Sequence, residues 1–150
     1  MATIEPFSHA MIEACLRSLN LRFLRDEDND FVVQFQYDPQ YDCEVTFYLM
    51  AQGQQREIYS LLCRTSRRFE PGSWERALVL CNTWNRERRW PKSYLRSYES
   101  ANAAYAEICL EEHIDLEVGI HQELFFSYTM TFFSASLSFW RWLHQDQRFY

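Results

Sequence analysis

Two periodicities, arranged in blocks, predict an α+β fold built on an antiparallel sheet of about five strands. Apolar residues alternate at period two within 31–66 and 92–114, and recur at helical spacing near 8–20 and 74–88. The strand runs follow one another through short turn signals, the pattern of hairpins and not of parallel crossovers. With a helix at the C-terminal end, the order is α-β-β-β-α-β-β-α. A chain of 150 residues is expected to be one domain, 1–150, able to bury a sizeable core.

Ser8 is placed to cap the first helix, where Met11, Ile12, Cys15, Leu16 and Leu19 form one stripe. From residue 31, Phe31, Val33, Phe35 and Tyr37 alternate with Val32, Gln34 and Gln36. After Asp38-Pro39-Gln40 the alternation resumes in Cys43, Val45, Phe47 and Leu49. Pairing Tyr37 with Cys43 sets Phe35 against Val45, Val33 against Phe47 and Phe31 against Leu49, a register that matches every apolar residue with another. A turn at Gly53-Gln54 would lead to a third strand, 56–66, with Leu49 opposite Ile58 and Val45 opposite Leu62. Tyr48, Met50, Tyr59, Leu61 and Cys63 would then share the second face with Val32, leaving both faces apolar enough to need a cover.

Pro71-Gly72-Ser73 punctuates the chain and Ser73 can cap a helix carrying Trp74, Ala77, Leu78, Cys81 and Trp84 on its buried side. Trp90-Pro91 ends it, because the residue before proline avoids the helical region. A second hairpin, 92–99 and 103–114 closed at Ser100-Ala101, sets Leu95 against Ala106 and Ser93 against Ile108. Tyr94 would face Glu107, and Lys92 and Arg96 would pair with Glu107 or Glu111. The stretch 117–146 contains seventeen residues, 124–140, that lack any break, too long for an ordinary strand and therefore read as a helix. Its polar stripe is Glu123, Ser127, Thr131, Ser134, Ser138 and Arg141; the apolar arc opposite, from Phe125 to Leu143, is wider than one sheet contact needs.

Leu80-Cys81-Asn82-Thr83-Trp84-Asn85-Arg86 follows an L-x-N-x-x-N helix pattern, Pro91-Lys92 and a strand come next, and the aromatic last helix ends in Phe139-Trp140. These features, with the element order, resemble the YbjN family, whose members are described as bacterial sensory transduction regulators. The resemblance runs from about residue 8 to 146. It implies a fold similar to type III secretion chaperones, no enzyme activity and no catalytic residues. The basic run Arg86-Glu87-Arg88-Arg89 would fit a branch with its own partner, such as a cyanobacterial or plastid one.

Chemistry finds little purchase. Asp26-Glu27-Asp28-Asn29-Asp30 is acidic enough for calcium, but an EF-hand loop would need Gly at Phe31 and Glu at Tyr37, so it reads as a solvated turn. His9, His113, His121 and His144 are isolated, and Cys15, Cys43, Cys63, Cys81 and Cys109 are widely spaced without a C-x-x-C. No metal or cofactor is expected. Five scattered cysteines and no basic, apolar leader point to free thiols in the cytoplasm. Residues 124–140 are uncharged but carry six Ser/Thr, which argues for a packed helix and against a membrane span.

Charge is uneven: residues 1–55 carry −6, residues 56–97 carry +6 and residues 98–150 carry −6. Arg86, Arg88, Arg89, Lys92 and Arg96 with Trp90, Tyr94 and Tyr98 could stack and pair with nucleic acid, but Glu107 and Glu111 in the facing strand neutralise that strip. A self-paired surface is preferred. The function expected is a non-enzymatic protein-binding module, a chaperone-like adaptor or regulator, with a nucleic-acid-binding regulator or a small-molecule sensor as alternatives. Asn82, Asn85, Arg86, Arg88, Arg89 and Trp90 are the candidate partner-binding residues. The simpler reading of Asn82 and Asn85 is that their amides bond the helix end or a neighbouring loop. Surplus apolar surface on the last helix and the strands 31–66 predicts a homodimer.

Overall fold

A computed structural model describes residues 3–150. The class is α+β and the sheet is antiparallel throughout, with more strands than expected. In chain order the elements are β1 (Ile4–Glu5), α1 (His9–Ser18), β2 (Leu24–Arg25), β3 (Phe31–Asp38), β4 (Cys43–Gln52), β5 (Ile58–Thr65), α2 (Trp74–Glu87), β6 (Lys92–Glu99), β7 (Ala104–Asp115), β8 (Ile120–His121) and α3 (Gln122–Arg141). The main sheet runs β2-β3-β4-β5-β7-β6, and β1 pairs with β8. The short β1, β2 and β8 have two residues each, too few for periodicity to register.

Loop length decides which registers survive. Phe31, Val33 and Phe35 pair with Leu49, Phe47 and Val45 as expected, but Asp38 and not Tyr37 faces Cys43. The Asp38 carboxylate accepts from Gln40 N at 2.8 Å and its carbonyl from Asp42 N at 2.8 Å, and Asp42 is left-handed at φ 56°. That wider turn forces a bulge that pushes Tyr37 to the surface. The next turn occupies residues 53–57, with Gly53 at φ 94° and Arg56 at φ 57°. That left-handed backbone at Gly53 is one that side chains rarely adopt, so the turn favours glycine there; the nearest obstacle to a Cβ, the Glu57 carboxylate, could swing aside.

In consequence Leu49 pairs with Leu61 and Val45 with Thr65, three positions from the expected register. An odd shift exchanges the faces of a strand. Tyr59, Leu61 and Cys63 therefore join Val45, Phe47 and Leu49 inside, and the sheet has one apolar face, not two. The second hairpin closes through Ser100–Ala103, setting Leu95 against Ile108 and Ser93 against Leu110; Tyr94 faces Cys109 and not Glu107. That shift is even, so the faces stand as expected.

All three helices pack on the one face. Ser8 Oγ accepts from Met11 N at 3.3 Å and starts α1, whose Ile12, Cys15 and Leu16 are buried. Along α3, Phe125 stacks on Tyr59 at 4.5 Å, Thr129 Oγ1 meets the Tyr59 hydroxyl at 2.7 Å, and Phe133 lies edge-on to Phe47 at 4.5 Å. A twenty-residue helix spans about 30 Å, enough to cross the sheet. Its broad apolar arc is consumed inside the chain, by strands, by α1 and by Trp84 of α2, which meets Phe139 at 5.1 Å. The buried side of α2 is Ala77, Leu80, Cys81 and Trp84. Leu78, expected inside, is 54% exposed, and Trp74 is half-buried with its indole N–H bonded to Phe69 O at 2.9 Å. Ser73 makes no side-chain cap, because a 3-10 turn, Pro71–Ser73, already leads into the helix. Among the described residues no helix is long and apolar enough to cross a membrane.

Candidate partner-binding edge

β6 is the last strand of the sheet, and its outer edge is where the local chemistry is unusual. Adjacent residues of an antiparallel edge strand direct their N–H and C=O alternately inward and outward. Ser93 points outward, and both groups are held by one side chain: Ser93 N donates to Asn85 Oδ1 at 2.9 Å and Asn85 Nδ2 donates to Ser93 O at 2.9 Å. The Asn85 amide thus imitates one residue of a neighbouring strand. Ser93 Oγ lies 3.1 Å from both Asn85 Oδ1 and Cys81 O, tying strand to helix. Leu95 and Ser97, next in the outward series, have no such partner among the described residues. Ser97 and Glu99 are exposed and Leu95 half-buried.

The helix beside this edge is turned toward it. Leu78 and Asn85 are seven residues apart, close to two turns, so they leave α2 on one side, with Asn82 between them. Asn82 is exposed and Leu78 offers an apolar surface there. The opposite sheet edge is less open: β2 covers part of β3, and the bulge at Phe35–Asp38 twists the rest away.

The sheet face turned away from the helices carries a polar network. Lys92 Nζ lies 3.4 Å from Glu111 Oε2, as the hairpin pairing predicts. Glu111 also accepts from the Tyr94 hydroxyl at 2.8 Å and meets His113 Nε2 at 3.4 Å. Burial opposes the charge on Glu111, but Tyr94, His113 and Lys92 outweigh it and hold its carboxyl below the ordinary range. Arg96 sits opposite Glu107 in the register but does not pair with it. Glu107 is taken by Arg64, at 2.8 and 3.2 Å, and by the Tyr98 hydroxyl at 3.2 Å. Arg96 instead stacks on the Tyr98 ring, 5.2 Å from its centroid.

The candidate residues named from sequence do not form one site. Asn85 is the strand clamp, and Asn82 shares its side of the helix. Arg86 is exposed and touches Glu87 at 3.5 Å. Arg88 folds over Trp84, 5.2 Å from the ring, and lines a cleft of about 350 Å³ with Trp142, Arg141 and Asp146. Arg89 and the half-exposed Trp90 border a different cleft of about 290 Å³ with Glu112, His113 and Tyr128. Ser93 and Leu95 enter the sequence reading only as hairpin register positions, and alternating serines in a strand are the hint of an edge that the sequence carries. The Asp26, Asp28 and Asp30 carboxylates do converge, within 4.8 Å. Asp26 Oδ1 accepts from Asp28 N at 3.0 Å and Asp30 N at 2.9 Å, which is turn chemistry.

The model of the YbjN family, described as "Putative bacterial sensory transduction regulator", matches residues 8–145. This chain belongs to the YbjN family. A crystal structure of YbjN, "a putative transcription regulator from E. coli", superposes on this YbjN-family chain with a TM-score of 0.70. The alignment covers 97% of each chain at 11% sequence identity, so the likeness is one of fold. No curated protein matches. The motif that carried the resemblance contains the clamp, since the second asparagine of Leu80-x-Asn82-x-x-Asn85 holds Ser93.

Proposed function

We propose that this YbjN-family chain is a non-enzymatic regulator that binds another protein along the outer edge of β6 and the adjoining side of α2. The observation that carries the reading is the Asn85–Ser93 pair. It demonstrates an outward-facing strand residue fully served by an external amide, with two further outward residues left open beside it. An extended segment could continue that pairing by adding a strand. The family's description as regulators supports a binding role. Five buried, unpaired thiols support a cytoplasmic setting, with burial lifting Cys15 and Cys81 to about 11. The reading treats residues 1–150 as one domain.

The expected homodimer rested on surplus apolar surface, and most of that surface is buried within one chain. It stays a proposal, supported by the exposed Leu124 and Met130 on α3 and Leu78 and Val79 on α2. Nucleic-acid binding has Arg86, Arg88, Arg89 and Trp90 in its favour, all exposed. Against it, Glu107 and Glu111 hold Arg64 and Lys92, so the adjoining face is locally neutral.

The test is site-specific photocrosslinking in the native host, with a benzophenone amino acid at Ser97 or, as control, at Val118, which is 87% exposed in the β7–β8 loop. The expected result is a discrete protein adduct from Ser97 alone. Equal adducts from both positions, or a nuclease-sensitive adduct from Ser97, would overturn the reading.

A further inference from the structure

We infer that the segment captured by β6 is a short extended stretch of another protein with acidic side chains at alternate positions and apolar ones between. This rests on the reading of β6 as the binding edge. A strand laid beside β6 presents its side chains alternately to the two sheet faces. On the helix-free face its neighbours are Lys92, Tyr94, Arg96 and Tyr98; on the other it meets Leu95, with the exposed Leu78 on the same side of α2 as the Asn85 clamp. Lys92 shares Glu111, but Arg96 has no carboxylate within ion-pair distance among the described residues, since Arg64 and Tyr98 occupy Glu107. Arg96 is thus an exposed cation on a rim whose nearest acid is already satisfied, in a chain of net charge −6. Opposite charges across a strand pair stabilise it and like charges do the reverse.

Two further observations narrow the partner. Asn85 occupies Ser93, so an added strand begins its pairing at Leu95 and has only the run to Glu99 to use, about 17 Å of strand. A second copy is a poor fit. An antiparallel twofold pairing that matches Leu95 with Ser97 puts Arg96 on the axis, facing itself.

The experiment measures fluorescence anisotropy of three labelled peptides of about eight residues, each with Val at alternate positions and Glu, Gln or Lys at the others. The Glu peptide should bind tightest and the Lys peptide about tenfold more weakly. Arg96→Glu should invert that order. Ser97→Pro should abolish binding, since proline removes the outward N–H and is tolerated at a strand edge. Circular dichroism checks that both variants fold; Arg96→Glu disturbs no backbone hydrogen bond and carries the test if the proline variant does not. Equal binding of all three peptides, lost with Ser97→Pro, overturns the acidic preference and leaves the edge standing. No binding, or binding indifferent to Ser97→Pro, overturns the edge itself. A dimer in sedimentation that Ser97→Pro dissolves overturns the proposal in favour of a second copy.

Discussion

Asn85 shows how one side chain can both stabilise a fold and delimit a surface. Its three contacts with Ser93 span helix and strand where few other bonds do so. Asn85→Ala should cost about 1–3 kcal/mol, the range for leaving buried partners unsatisfied, measurable by urea denaturation. It should also free Ser93 for an added strand, so the same variant should lengthen the usable edge. Glu112 works the other way. It projects to the helix side of β7, its Oε1 has no partner, and burial raises its pKa despite the nearby Tyr128 hydroxyl. An acid whose pKa is higher folded than unfolded binds more protons when folded, so its penalty grows as pH rises through the interval between the two values and stays above it. Glu112→Gln should therefore raise the melting temperature at pH 7 and leave it unchanged near about pH 3, below both values. An equal effect at the two pH values would show that packing, not ionisation, is responsible. Sequence shows part of the first role and none of the second: a backbone partner near the helix end is expected of the Asn85 amide, though not that it is Ser93 of a strand, and a lone glutamate between Glu111 and His113 gives no sign of which way it faces.

At the scale of elements, α2 separates core from surface sharply. Trp84 is 4% exposed and packs on Phe139 and Trp142, so Trp84→Ala should cost about 3–5 kcal/mol. Leu78→Ala, on the β6 side, should change stability by no more than about 0.5 kcal/mol while weakening any partner of the edge. Chemical denaturation of both variants checks the contrast. Periodicity alone placed the two residues on one stripe, because a fourteen-residue helix with apolar residues on two sides does not say which is covered. The strands behave similarly. Alternation located β3, β4, β5, β6 and β7, but the number of residues in each turn set their register. Asp38, Gly53 and Arg56 closed their turns through side-chain bonds and left-handed backbone that a count of apolar matches does not see. The three-residue slip of β5 alone turned an apparently two-faced sheet into a one-faced one.

Among the described residues, a six-stranded sheet carries three helices on one face and a polar network on the other, with β1 and β8 paired apart from it. The −6, +6, −6 division of charge is partly folded back on itself, since Arg64 and Lys92 of the basic block hold Glu107 and Glu111 of the last acidic one. Of the basic residues that this pairing leaves over, Arg96 lies on β6 itself, beside its open edge. Residue-resolved amide hydrogen exchange, with and without the glutamate-bearing peptide, shows whether this edge accepts an extended segment. Alone, the outward amides of Leu95 and Ser97 should exchange fast while those of Tyr94 and Arg96, bonded to β7, exchange slowly. With peptide, Leu95 and Ser97 should become protected together and Ser93 should not change. Leu95 and Ser97 amides that stay fast under saturating peptide, or protection that appears only at a different surface, would show that β6 is not the binding edge.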